Sequence, residues 1–306
     1  MYWVGYSILS GLVGTLKNIT TKEGLLHTFE SSFALYMSLV STIISLIYNI
    51  IYKVPFNING NAIIAGIFLA IGILLIMNAI NKADNPGLPI AFYRTQCILT
   101  TILMSILFNS KLSYYKILFM CIVIAGSYIL AKSLHAEHHK SIQNTHSYVD
   151  NRVKNIVPVQ NWIILSILSG IFVSGKDVFT KYALVSKNSN MFNFIFYILL
   201  VQTILFVIYE YYISGKIELL QKNTQIIANT KDVVYTIITG ILFYLYNYTL
   251  TVACKIAPNI GYVKSIDCLG IVATVILSNI IFGTKLNIES YIGIGVTILG
   301  VIGVSI

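Results

Sequence analysis

The chain has 306 residues, of which 57% are hydrophobic and only 10% charged, with a formal net charge of +9. A soluble domain averages about 25% charged residues, so this composition excludes a water-soluble fold. The basic residues are scattered over short loops beside apolar runs, which suits anionic lipid headgroups rather than nucleic acid.

Ten apolar runs follow one another, at roughly 2–19, 28–52, 62–81, 87–108, 113–132, 159–182, 191–213, 233–254, 259–282 and 288–306. Each is long enough to cross a hydrocarbon core of about 30 Å as a helix. The first begins at residue 2 and lacks the basic leader and small-residue cleavage site of a secretory signal, so it reads as a true span. Between the fifth and sixth runs lies the one long polar stretch, "SLHAEHHKSIQNTHSYVDNRVKNIVP" at 133–158, which reads as a solvated linker. The expected organisation is therefore a five-helix unit at 1–132, the linker at 133–158 and a second five-helix unit at 159–306.

The two units share a phrase. "SILSGLVGTLKNITTK" at 7–22 and "SILSGIFVSGKDVFTK" at 166–181 agree at eight of sixteen positions, and Trp3 and Trp162 keep the same spacing of 159 residues. "FNSKL" at 108–112 answers "FGTKL" at 282–286, and Gly126 answers Gly300, now at an offset of 174. The second copy has gained about fifteen residues, most simply in the loop at 214–232. Such self-similarity marks an internal duplication. Five is odd, so the second copy enters the membrane from the opposite face and the units form inverted repeats. Both termini then share one side and the linker faces the other. Counts of Lys and Arg in the loops leave the orientation open.

Prolines punctuate helix ends: Pro55 follows the second span, Pro86 and Pro89 precede the fourth, Pro158 opens the sixth and Pro258 precedes the ninth. None interrupts a span interior, so the spans are expected to be mostly continuous helices.

These repeats, the short loops and the closing stretch "SNIIFGTKLNIESYIGIGVTILGVIGV" resemble the drug/metabolite transporter superfamily, specifically its EamA-like members. The resemblance spans essentially the whole chain and is most specific at Ser278, Phe282, Gly283, Lys285, Leu286 and the glycines 293, 295, 300 and 303; Thr284 stands where many members carry Glu. It implies an all-α, polytopic membrane protein of ten transmembrane helices that carries small organic solutes. Its plastid phosphate and nucleotide-sugar carriers place cations on spans four and nine, which implies a similar role for Arg94 and Lys264.

A charge at mid-bilayer costs about 2.5–3.5 kcal/mol even on the lenient insertion scale, so buried charges are informative. Arg94 in "PIAFYRTQC" and Lys264 and Asp267 in "GYVKSIDC" stand out. On span four Arg94 continues into Cys97, Thr101 and Ser105, and on span nine Lys264 and Asp267 continue into Thr274 and Ser278 at helical spacing. The candidate substrate site is therefore Arg94, Lys264, Asp267, Tyr93, Thr101 and Thr274. Lys264 could instead snorkel or pair with Asp267 at i+3. Lys17, Lys22, Lys176, Asp177 and Lys181 read as interfacial anchors, and Glu30 and Glu210 as wet span ends.

No Walker motif, nucleophile elbow, zinc helix or dinucleotide fingerprint is present. The linker histidines lack a completing Cys or carboxylate pattern, and the four cysteines lie in apolar runs with no C-x-x-C. Neither an enzyme, a cofactor nor a metal is expected. The favoured reading is a secondary carrier of a small polar organic metabolite, anionic or phosphorylated, working by alternating access as a monomer or homodimer. A proton-coupled exporter of amines or hydrophobic cations, and a non-transporting scaffold or receptor on the carrier fold, stay open.

Overall fold

The computed structural model describes residues 2–25, 28, 30–83, 86–110, 113–144, 160–186, 189–214, 230–282 and 286–306. Most of the linker, Pro158, the loop at 215–229 and the turn at 283–285 lie outside the described residues.

All described elements are helical: α1 Tyr2–Leu25, α2 Glu30–Ile51, α3 Gly60–Lys82, α4 Gly87–Tyr93, α5 Gln96–Phe108, α6 Tyr114–Asn144, α7 Gln160–Lys181 with a short π-helical turn at Tyr182–Ser186, α8 Met191–Ser214, α9 Thr230–Ile256, α10 Ile260–Asp267, α11 Leu269–Phe282 and α12 Ile288–Ser305. Pairs α4–α5 and α10–α11 each make one span, so ten spans result. Eight stretches among the described residues are long and apolar enough to cross a membrane. The first helix falls short of that measure because its buried face is Ser7, Ser10, Gly11, Gly14, Thr15 and Asn18, while Leu9, Leu12 and Leu16 point outward. Asparagines start three helices: Asn59, Asn259 and Asn287 accept hydrogen bonds from the backbone N–H groups of Asn61, Gly261 and Ser290 at 2.8–2.9 Å.

Two features go beyond what the sequence reading specified. The helix of the fifth span does not stop at 132 but runs to Asn144, so the first twelve residues of the expected linker are helical. Spans four and nine run through as Pro89–Phe108 and Ile260–Ile281, each with one local irregularity at which the backbone keeps right-handed helical dihedrals. Both irregularities arise without a proline, at Arg94–Thr95 and at Cys268. There the backbone tightens to i→i+3 bonding: the N–H of Cys97 donates to Arg94 O at 3.1 Å, and that of Ile271 to Cys268 O at 2.9 Å. In span four the Thr95 hydroxyl also inserts into the ladder, donating to Phe92 O at 2.8 Å. Such tightening within a helix often marks a hinge.

The packing exchanges the two halves. Helix α3 lies on α7 as α9 lies on α1, α3 on α8 as α9 on α2, and α4 and α5 on α7 as α10 and α11 on α1. The two remaining mates pack on themselves, α2 on α8 and α6 on α12. Between α2 and α8 the halves match in a further register, 161 residues apart, with Val40/Val201, Thr42/Thr203, Ile47/Ile208 and Tyr48/Tyr209 identical. The mates Thr42 and Thr203 hydrogen-bond each other at 2.9 Å, which places them on the pseudo-twofold axis. Two of the extra residues of the second half therefore precede α8, where the π-helical turn sits. The others fall between α8 and α9.

Close backbone approach fixes where the axis leaves the opposite side. A Cβ on Gly126 would meet Thr297 N at 2.5 Å, and its mate, a Cβ on Gly300, would meet Val123 N at 2.7 Å. Small residues let membrane helices approach where no hydrophobic force drives them together. Gly300→Leu is therefore expected to lower the melting temperature in detergent far more than Ile302→Leu, since Ile302 is half exposed. Equal tolerance at both positions would refute the α6–α12 contact.

Candidate functional site

The two irregularities meet. Arg94, the C-cap of α4, pairs through Nη1 with Oδ2 of Asp267, the last residue of α10. The Ser10 hydroxyl donates to Asp267 Oδ1 at 2.8 Å and the Tyr246 hydroxyl to Oδ2 at 3.1 Å. Both members of the pair are buried, Arg94 at 3% and Asp267 at 0% exposure. The guanidinium also lies 5.6 Å from the centroid of the Tyr93 ring.

A second charged group sits beside it on α7. Asp177 Oδ1 lies 3.5 Å from Lys176 Nζ, and its Oδ2 lies 3.3 Å from Lys264 Nζ. All three side chains are buried. The contact to Lys264 brings charge together without hydrogen-bond geometry, since neither Asp177 Oδ2 nor Lys264 Nζ has a hydrogen-bond partner. Lys17, on α1, has no carboxylate partner among the described residues. Its ammonium lies 5.5 Å from the Tyr246 ring and 5.9 Å from the Phe243 ring.

Lys17, Arg94, Lys176 and Lys264 line a small cavity of about 30 Å³, halfway along α3 and α9, room for one or two water molecules. Its lining obeys the pseudo-twofold: Gly14 and Val173, Lys17 and Lys176, Leu69 and Phe243, and Ile90 and Lys264 are pairs of mates that all face it. The axis that passes between Thr42 and Thr203 and between α6 and α12 thus runs through the cavity.

Of the residues singled out in the sequence, Arg94, Lys264 and Tyr93 line this cavity, and Asp267 stands behind Arg94. Thr101 and Thr274 do not line it. They donate to carbonyls of their own span, Cys97 O at 2.8 Å and Gly270 O at 2.7 Å, which satisfies the hydroxyls within the helix. Lys264 and Asp267 neither snorkel nor pair with each other, because each has a partner on another span. The interfacial placement expected for Lys176 and Asp177 fails, as does the wet placement of Glu210, which is buried and accepts from Ser32 Oγ at 2.6 Å. Lys22 and Lys181 do sit at helix ends. Lys22 Nζ donates to Ala83 O at 2.9 Å and its mate Lys181 Nζ to Ala257 O at 2.8 Å, at the ends of α3 and α9. The signal for Lys17 and Lys176 is in the duplicated phrase itself, where the pair is one of the eight identities.

Among the described residues no group of three His, Cys, Asp or Glu side chains is placed to hold a metal. Residues 160–306 match the model of the EamA-like transporter family. The second half of this chain is an EamA-like transporter domain. A crystal structure of another protein has the same fold, with a TM-score of 0.74 at 10% identity over 100% of this chain and 98% of that one. No curated protein matches the chain in sequence. With its membrane helices and the pseudo-symmetric packing of its halves, the chain is an integral, multi-pass membrane protein whose second half matches a family of membrane transporters.

Proposed function

We propose that this transporter carries a small organic anion by alternating access, holding the acidic group at the central cavity. The observation that carries the reading is the charge there: half-buried Lys17 and buried Arg94, Lys176 and Lys264 stand against the buried Asp177 and Asp267, a formal excess of two positive charges. Uncompensated buried charge is costly and calls for a counter-charge. Arg94 is already committed to Asp267, so the cations facing a ligand are the symmetry mates Lys17 and Lys176, with Lys176 and Lys264 both shared with Asp177.

Closure at both ends supports a cycle through an occluded state. At the end where α3 and α8 begin, Asn59 Nδ2 donates to Ser189 Oγ and Asn193 Nδ2 to Asn57 O, each at 2.6 Å. At the other end Ser32 joins Glu210. These bonds tie one half to the other, and each set must release in turn to open its own side. Outside the first set an open recess of about 470 Å³ is lined by Asn57, Asn59, Asn61, Ser189, Asn190 and Asn193.

The test is a thermal-shift screen of the purified protein against matched small organic anions and amines, because a ligand that binds the native state raises its apparent stability. Anions should give a saturable rise. Lys17→Met and Lys176→Met should each weaken that binding about ten- to a hundredfold, the worth of one charge-assisted hydrogen bond. Stabilisation by amines and by no anion would replace this reading with the cation exporter.

A further inference from the structure

The cavity is symmetric in its lysines but not in its walls, and the asymmetry bears on the body of the cargo. On the first half Leu69, Ile73 and Ile76 of α3 and Ile90 of α4 face it, all aliphatic and all buried. Their mates on the second half are Phe243, Asn247 and Leu250 of α9 and Lys264 of α10. Tyr246 adds a hydroxyl to that second wall at the place where the mate, Gly72, has no side chain. Beyond the lysine pair and Asn18, the polar groups of the lining are Tyr246, Asn247 and Lys264 of the second half and Tyr93 and Arg94 at the end of α4. The facing wall of Leu69, Ile73, Ile76 and Ile90 offers no donor and no acceptor from a side chain, while Tyr93 and the paired Arg94 stand at the C-terminal end of α4.

We propose that the cavity selects organic anions with an apolar body, the acidic head at Lys17 and Lys176 and the body against Leu69, Ile73, Ile76 and Ile90. The proposal rests on the anion reading above and adds the chemistry of the rest of the molecule. A polyhydroxylated body, such as a sugar phosphate or sugar acid, would turn hydroxyls toward that wall and leave them without partners. Each stranded hydroxyl weakens binding about tenfold or more. An alkyl body gains instead, about fourfold in affinity per methylene buried. Val173 of α7 continues the same apolar surface beside Lys176, so head and body sites are contiguous.

The experiment measures competition among straight-chain carboxylates from propanoate to hexanoate, with gluconate as the polyhydroxylated match to hexanoate and inorganic phosphate as a head without a body, on the intact transporter in nanodiscs. Affinity should rise about fourfold per methylene, and hexanoate should outcompete gluconate by a hundredfold or more. Lys17→Met should flatten the whole series, which separates the site from partition into lipid. Ile73→Asn, which copies the mate Asn247 onto the apolar wall, should cut the hexanoate-to-gluconate ratio at least tenfold. Asn247→Ile, should Ile73→Asn fold poorly, should raise that ratio. Gluconate binding as well as hexanoate overturns the apolar body and leaves the anion reading standing. Failure of carboxylates and phosphate alike overturns the anion reading, and this proposal with it.

Discussion

Arg94→Ala is expected to lower the unfolding stability in detergent by about 3–5 kcal/mol, the usual cost of stranding one member of a buried ion pair. The stranded group would be Asp267, whose carboxylate is fully buried and retains only the Ser10 and Tyr246 hydroxyls as donors. The pair also ties the irregularity of span four to that of span nine, so its loss unties the two at once. Asp267→Ala should cost as much, since it strands the guanidinium. Arg94→Met combined with Asp267→Leu should recover most of the loss, because replacing both charges with well-packed apolar groups is often neutral or stabilising. Thermal melts of the three variants check this. Wild-type stability in Arg94→Ala alone would mean that the pair does not form in the native protein. The double variant also has a second use. If it folds but no longer transports, the pair acts in the cycle, and if it transports normally, the pair is structural.

That outcome shows where the sequence was legible. Period and length alone give ten helices, and an odd count per repeat forces the inversion. The duplicated phrase brings α1 and α7 into symmetric positions, where Lys22 and Lys181 do the same task on Ala83 and Ala257. What the sequence did not reveal is how charges pair between spans. Lys264 and Asp267 are neighbours on one helix, yet each is matched from elsewhere, by Asp177 and by Arg94, because the cavity brings α4, α7 and α10 together. Lys17 and Lys176 lie near the ends of apolar runs, and near an end a lysine usually snorkels. Here α1 and α7 extend past those residues, to Leu25 and Lys181, and the lysines lie under neighbouring helices. The irregularities were hidden for another reason. Without proline, the tightening at Thr95 is accompanied by its hydroxyl bond to Phe92 O, and both irregularities lie in spans that pack on α7 and α1. Tertiary contacts of that kind leave no periodic trace.

Asp177→Asn is expected to tighten anion binding about ten- to a hundredfold. In the wild-type protein Asp177 is the internal competitor for the site. It lies 3.5 Å from the ammonium of Lys176 and 3.3 Å from that of Lys264, so an incoming acidic group must share those cations with it. Neutralising it releases up to two charge-assisted hydrogen bonds to the ligand, each worth about 1.5–3 kcal/mol before the cost of relaxation. The substitution also restores symmetry, because the mate of Asp177 is Asn18, which lines the same cavity. The empty protein should lose stability, as three lysines and one paired arginine then share one small cavity, and bound anion should return it. The same change separates the anion carrier from a proton-coupled cation exporter. An exporter needs a carboxylate that can alternate between a proton and a cation. Asp267 is poorly placed for that, held by Arg94, Ser10 and Tyr246, which leaves Asp177 as the buried carboxylate beside the cavity whose neighbours on the charged side are lysines alone. Asp177→Asn would therefore abolish export of amines while improving capture of anions. Isothermal titration with hexanoate and uptake of a labelled amine, run on the same variant, give opposite signs under the two readings, and unchanged anion affinity would remove Asp177 from the site.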